Sequence, residues 1–263
     1  MRLQFIGVGG GFADIEPGNS NMLFTSDSGK RLLLDAGHTS PYILRHMGIK
    51  PNSEDLEGIY ISHLHADHAG SLGWLALFNY FTRVFSPNGD KQENRLKLYV
   101  HNTLLDDLWM HIKAEVDTIQ GRSVDLDTFF EVHSIMDDGS FTWEGYKFDT
   151  VQTLHVVSNR KFMSSFGLMV YKPTSMGQPR KTFITTDTQF TPNTLGVFYE
   201  QADQIFHDCE TKFKSGVHAY FNDMAEQLDT ETKKKIWLYH YNQKEEDLKG
   251  FAGFVTQYQE FTV

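Results

Sequence analysis

The segment Ser62-His63-Leu64-His65-Ala66-Asp67-His68-Ala69-Gly70 restricts the fold of this chain more than any other. It sets three imidazoles and a carboxylate within six residues, directly after the apolar run Leu56 to Ile61. An extended backbone puts His63 and His65 on one side, where both can reach one metal, and turns Leu64 and Ala66 into packing. Asp67 and His68 follow where the chain turns, and can address a second metal. So many nitrogen and oxygen donors at a strand end are half of a metal site. The fold must bring the other half from elsewhere in the chain.

Three distant residues sit at the ends of predicted strands and suit that role: His155 after Phe148–Leu154, Asp187 after Phe183–Thr186, and His240 after Ile236–Tyr239. Ligands carried on the ends of several strands are held by a rigid scaffold. Asp187 is the natural bridge between two cations. Zinc accepts imidazole and carboxylate donors well, whereas hard cations want more oxygen. Two such ions about 3.5–4 Å apart activate water and clamp a phosphoryl group. Isolated histidines such as His101, His111 and His133 read instead as hydrogen-bonded structural residues.

The remaining pattern is that of a globular chain. Its 263 residues are 40% hydrophobic, enough for a substantial core. No run approaches the roughly 18 apolar residues of a membrane span. Met1-Arg2-Leu3-Gln4-Phe5 has no signal-peptide character, so the expected location is cytoplasmic. The single cysteine, Cys209, excludes an internal disulfide and a thiolate-rich zinc cluster. The net charge of −10, without a basic footprint, argues against a long nucleic-acid partner.

Periodicity predicts strands at Met1–Val8, Asn21–Thr25, Arg31–Leu34, Leu56–Ile61, Leu96–His101, Phe130–Ile135, Gly145–Thr153, Phe166–Tyr171, Lys181–Thr185, Asp203–Phe206 and Lys235–Tyr239. It predicts helices at Pro41–Met47, Gly70–Phe81, Asn102–Gly121 and His218–Leu228, with a loop over residues 86–95. Gly7, Gly9, Gly10 and Gly11 allow an unusual backbone path but lack the Gly-Lys-Ser/Thr of a phosphate loop. The expected organisation is one domain, residues 1–263, of two similar β-rich halves with helices outside.

His63-x-His65-x-Asp67-His68 resembles the signature of the metallo-β-lactamase superfamily, which implies an α/β four-layer αββα sandwich with a metal site at one edge of the sheets. Within it the chain is similar to the ribonuclease Z branch from residue 1 to about 245. The likeness is carried further by His155, Thr186-Asp187-Thr188, His207-Asp208-Cys209-Glu210-Thr211, His218 and His240. The resemblance implies two divalent metal ions, Zn2+ or Mn2+. His63, His65 and His155 would take one; Asp67, His68 and His240 the other; Asp187 would bridge. It implies that His218, oriented by Asp208, protonates the departing oxygen, so His218, Asp208 and Asp67 are the expected catalytic residues. A carboxylate behind an imidazole fixes its tautomer and raises its pKa.

Two departures narrow the substrate. Asp208 is one carbon shorter than the glutamate of the branch. Only 31 residues separate His155 from Asp187, and Lys172–Arg180 reads as a plain turn, so the protruding arm of the transfer-RNA-maturing relatives is expected to be absent. The chain is most similar to the phage anti-Pycsar proteins, which destroy cyclic mononucleotide signals. That resemblance implies a cyclic-mononucleotide phosphodiesterase yielding nucleoside 5′-monophosphates, a homodimer, and action in the host cytoplasm for a phage-encoded chain. Phe162 and Phe166, with Met163 and Tyr171, are candidates to stack on the base, and His218 also belongs to the expected substrate pocket; loop 86–95 and Tyr220–Phe221 are further candidates. Alternatives are a transfer-RNA 3′ endonuclease, a hydrolase of another small ester or lactam, and a non-catalytic metal- or nucleotide-binding protein.

Overall fold

The computed structural model describes residues 1–12, 18–119, 121–136, 139–159, 161–174 and 177–263. Its strands are β1 (Arg2–Phe5), β2 (Met22–Thr25), β3 (Arg31–Leu34), β4 (Gly58–Ile61), β5 (Leu96–His101), β6 (Phe130–Ile135), β7 (Ser140–Trp143), β8 (Tyr146–Ser158), β9 (Lys161–Tyr171), β10 (Lys181–Ile184), β11 (Gln204–Asp208), β12 (Ile236–Tyr239), β13 (Gly253–Phe254) and β14 (Glu260–Thr262). The helices are α1 (Ser40–His46), α2 (Ala66–Ala69), α3 (Leu72–Asn79), α4 (Leu105–Val116), α5 (Leu126–Phe129), α6 (Pro192–Gln201), α7 (Phe221–Gln227) and α8 (Thr230–Lys235).

Among the described residues the strands form two seven-stranded sheets, ordered β14-β1-β2-β3-β4-β5-β6 and β13-β12-β11-β10-β9-β8-β7. Each has an antiparallel half and a parallel half: β3 to β6 run parallel in the first, β10 to β13 in the second. Alternation sorts side chains between layers. Phe24, Leu32 and Leu34 point into the core between the sheets with Phe148, Leu168 and Phe206. Leu23 and Leu33 point outward into a second core with Ile43 and Leu44 of α1, Leu72 and Leu75 of α3, and Leu108, Ile112 and Val116 of α4. The outer side of the second sheet packs on Leu195 and Tyr199 of α6 and Phe221 and Met224 of α7. The result is the expected αββα sandwich, whose central parallel strands β4, β10 and β11 are buried on both faces.

Several boundaries shift for local reasons. The predicted helix at 70–81 is α3 continued by a wider π-helical turn, Tyr80–Val84. The predicted helix at 102–121 opens with a 3-10 turn, Asn102–Leu104, and ends at Val116, the last residue of its buried stripe. The helix expected from His218 begins at Phe221, leaving His218 in the preceding loop. The strand expected to end at Thr153 continues to Ser158 and pairs with β9 in a long hairpin. The segment 172–180, expected as a plain turn, includes Ser175 and Met176, which lie outside the described residues.

Candidate metal centre

The parallel strands β3, β4, β10, β11 and β12 end at one edge of the sandwich, and the polar cluster lies just beyond them. Carboxyl ends of parallel strands are where such sheets place their ligands. Asp35 follows β3, His63 and His65 follow β4, Asp187 follows β10, Asp208 ends β11 and His240 follows β12. Asp35 (φ 65°), Thr186 (φ 52°) and His240 (φ 66°) hold left-handed backbones at these turns. Such strain in non-glycine residues is retained where surrounding structure enforces it.

His155 arrives differently. The pairing of β8 with β9 shifts register between Leu154 and Val156, so His155 is the extra residue of a bulge. A bulge re-aims one side chain without ending its strand. Two glycines let backbone pass close to the ligands: a side chain at Gly10 would strike the His240 ring at 2.8 Å, and one at Gly37 would meet the Asp67 carbonyl at 2.0 Å.

Two donor sets share Asp187. In the first, His65 Nδ1 lies 3.2 Å from His63 Nε2 and 3.0 Å from His155 Nε2. Asp187 Oδ2 lies 3.6 Å from the Nε2 of both His63 and His155. In the second, Asp67 Oδ2 lies 3.3 Å from His68 Nε2 and 3.2 Å from His240 Nε2. Asp187 Oδ1 is 3.2 Å from His68 Nε2, and Oδ2 is 3.4 Å from His240 Nε2. A third grouping joins Asp187 and His240 to Asp208 and His218.

These separations fit shared cations. Donors around a tetrahedral ion with bonds of about 2.0–2.1 Å stand roughly 3.3–3.4 Å apart. His68 Nε2 and Asp187 Oδ1 are buried with no hydrogen-bond partner, although they face each other. Orphaned buried polar atoms are costly and need an explanation; a divalent cation between them supplies one.

The electrostatics agree. Burial holds His63 well below the usual imidazole range and lowers His65 and His155, leaving the neutral rings a metal requires. Burial alone would raise Asp187, but His240, His68 and His63 hold it well below the usual carboxylate value. Burial alone would also lower His68 and His240; instead the carboxylates around them raise both, Asp187 foremost. The second set therefore attracts positive charge strongly.

The outer nitrogens of three ligand rings are fixed in turn, as metal-ligating histidines need. His68 Nδ1 donates to Asp35 Oδ2 at 2.8 Å, and the same carboxylate accepts from Ser62 N and Oγ at 2.8 and 2.7 Å. His63 Nδ1 donates to Ser62 Oγ at 3.0 Å, and His155 Nδ1 to the Val217 carbonyl at 2.9 Å. Asp35 follows a predicted strand and carries no motif of its own. Its burial at 1% exposure, invisible in a lone Asp-Ala-Gly, is what marks it.

His218 stands at the rim. Its Nδ1 donates to Asp208 Oδ2 at 2.9 Å, and its ring lines a cavity of about 440 Å³ beside the cluster. Burial alone would lower its pKa; the Asp208 carboxylate, backed by Asp187 and Glu210, pushes it up to about 10. Asp208 also accepts from Thr188 N at 2.8 Å and places Oδ1 3.4 Å from His240 Nδ1. His207 is turned away, between the Tyr199 hydroxyl and the Asp208 carbonyl.

The aromatic candidates separate. Phe166 lies in the core, stacked on His101 at 3.8 Å, so it offers no ring face to a ligand and is not a base-stacking residue. Phe162 is 73% exposed near the hairpin tip, in a different cavity that includes no residue of the metal cluster. Tyr171 bonds Asp149.

The family model described as "Anti-Pycsar protein Apyc1" matches residues 1–261 of the chain. The protein of that description from Bacillus phage vB_BveM-Goe7 is 30% identical over 261 residues, covering 96% of this chain and 93% of the phage protein. Among solved structures, the metallo-β-lactamase fold protein YhfI of Bacillus subtilis superposes with a TM-score of 0.71 at 18% identity, over 99% of this chain and 98% of its own. Human tRNase Z, short form, superposes with a TM-score of 0.68 at 18% identity, over 100% and 99%. At those identities the two structures speak for the fold. No helix among the described residues is long and apolar enough to cross a membrane.

Proposed function

The chain belongs to the anti-Pycsar Apyc1 family, and on that premise we propose that it is a two-metal phosphodiesterase that opens cyclic mononucleotides to nucleoside 5′-monophosphates. Its role would be to remove a cyclic-nucleotide immune signal of the bacterial host. The observation that carries the reading is Asp187, set within 3.6 Å of a nitrogen on each of His63, His155, His68 and His240. His63, His65 and His155 would hold one divalent ion and Asp67, His68 and His240 the other, with Asp187 between. Zinc suits these donors, and manganese is the second candidate. When bound, such a pair supplies a nucleophilic water and neutralises charge on the phosphoryl oxygens.

The chain's own residues handle the leaving group. As the water oxygen bonds to phosphorus, the bond from phosphorus to the ribose 3′ oxygen breaks. The Asp208 contact on Nδ1 leaves His218 Nε2 to carry the proton given to that oxygen. Asp208 thereby positions His218, and its second oxygen faces His240.

A small diester is favoured over precursor transfer RNA. Between His155 and Asp187 the described residues run through the end of β8, β9 and β10, without a protruding arm. The charge of −10 also disfavours a large polyanion. A homodimer belongs to the same reading, and sedimentation velocity tests it separately. The decisive panel incubates zinc- or manganese-loaded protein with cyclic mononucleotides, precursor transfer RNA and a β-lactam. Turnover of the cyclic nucleotides supports the proposal; cleavage of the RNA alone overturns it.

A further inference from the structure

We infer that the cavity floored by His218 and His240 is the nucleobase subsite, and that Phe12 and Phe213 form its stacking walls; this rests on the cyclic-nucleotide reading above. Two cavities of similar size flank the cluster. One, about 440 Å³, includes His218 and His240 in its lining. The other, about 470 Å³, lies among Leu64, Leu104, Phe162 and Met163 and includes none of the clustered ligands. Either is large enough for a small ligand, so chemistry must choose between them.

The choice follows from the leaving group. The oxygen that receives the His218 proton is part of the ribose, and the base is attached to that same ribose. Sugar and base must then lie on the His218 side of the phosphorus. There Phe213 is 56% exposed and Phe12 is fully exposed, both lining the cavity. Exposed aromatic faces at the mouth of a polar site are what a base uses for stacking, whatever its edge. Lys212 lines the same cavity and has no ion pair among the described residues, although the chain carries a net charge of −10. It leaves a free cation where an anionic diester enters.

The wall is held in place by backbone contacts. Glu210 Oε1 accepts from Ser215 N at 2.7 Å, and Thr211 Oγ1 donates to the Gln243 carbonyl at 2.6 Å. Loop 211–217, which carries Phe213, is thus anchored at Glu210 and tied to the turn after His240.

The test uses metal-loaded protein and two non-hydrolysable ligands, a cyclic nucleotide phosphorothioate and the same cyclic ribose phosphorothioate without its base, with affinities read by calorimetry. Phe213→Ala and Phe12→Ala are expected to weaken the base-bearing ligand by roughly 5- to 150-fold and leave the baseless one within about twofold. Phe213→Tyr should restore the difference, and Phe162→Ala should leave both affinities unchanged. Equal losses for both ligands, no loss for either, or a loss confined to Phe162→Ala would overturn the assignment. If the parent protein bound neither ligand, the substrate reading would fall first and this one with it.

Discussion

Asp208 and His218 form an oriented pair, with the imidazole Nδ1 donating to the carboxylate Oδ2 at 2.9 Å. Neither residue belongs to the two donor sets around Asp187 that would hold the ions. With the two ions assigned to those sets rather than to the third grouping, which includes both residues, proton donation is separate from metal binding. His218→Ala should retain the metal content of the parent and lose roughly 10²–10⁴-fold in turnover. Metal analysis beside steady-state kinetics checks both halves; full turnover in the variant would remove His218 from the reaction.

Asp35 should matter for metal without touching it. It fixes His68 through Nδ1 and His63 through Ser62. Asp35→Asn is expected to weaken metal binding by about 10–100-fold. Competition with a chelator measures this, and circular dichroism at parent intensity would show that the fold is intact.

Glu57 ties the two sheets together. It accepts from Trp143 Nε1 on β7 at 2.8 Å and from Lys97 Nζ on β5 at 2.9 Å. Burial alone would raise its carboxyl, but the Lys97 and Trp143 contacts and the Lys97 and Lys30 charges lower it on balance. A lowered carboxyl contributes stability above its unfolded pKa and loses it as pH falls through the folded value. Glu57→Gln should therefore cost about 1–2 kcal/mol at pH 7, with the difference from the parent shrinking below about pH 4. Urea unfolding at both pH values tests the sign; an equal cost at both would contradict it.

The first half of the site was legible because its spacing is local: His63, His65, Asp67 and His68 follow a strand end within a few residues, and Leu64 packs as alternation predicts, but Ala66 does not, because it opens α2 and is exposed. Asp187 and His240 were legible from strand-end position together with the family resemblance, since parallel strands of a sandwich finish at a common edge but spacing alone does not single these two out. Asp35 was not, since an aspartate before Ala-Gly looks like any turn until its burial is known. Phe166 misled for a related reason. The second half of β9 is buried on both faces, so alternation no longer separates a core ring from one facing a ligand. Phe12 and Phe213 gave no periodic signal, because loops have none.

Asp187 is common to both donor sets, so its removal should empty both. Asp187→Ala is expected to hold fewer than half the ions of the parent by mass spectrometry, whereas His65→Ala, which alters the first set alone, should retain the second ion. Full occupancy in Asp187→Ala would show that the two sets do not share it.

The proposed reaction hydrolyses a cyclic mononucleotide at phosphorus with departure of the 3′ oxygen. Phosphorus NMR of the reaction of metal-loaded protein in 18O-labelled water tests it most directly. The expected product is a nucleoside 5′-monophosphate carrying one 18O on phosphorus. A 3′-monophosphate, a product without label on phosphorus, or an unchanged cyclic nucleotide would contradict it.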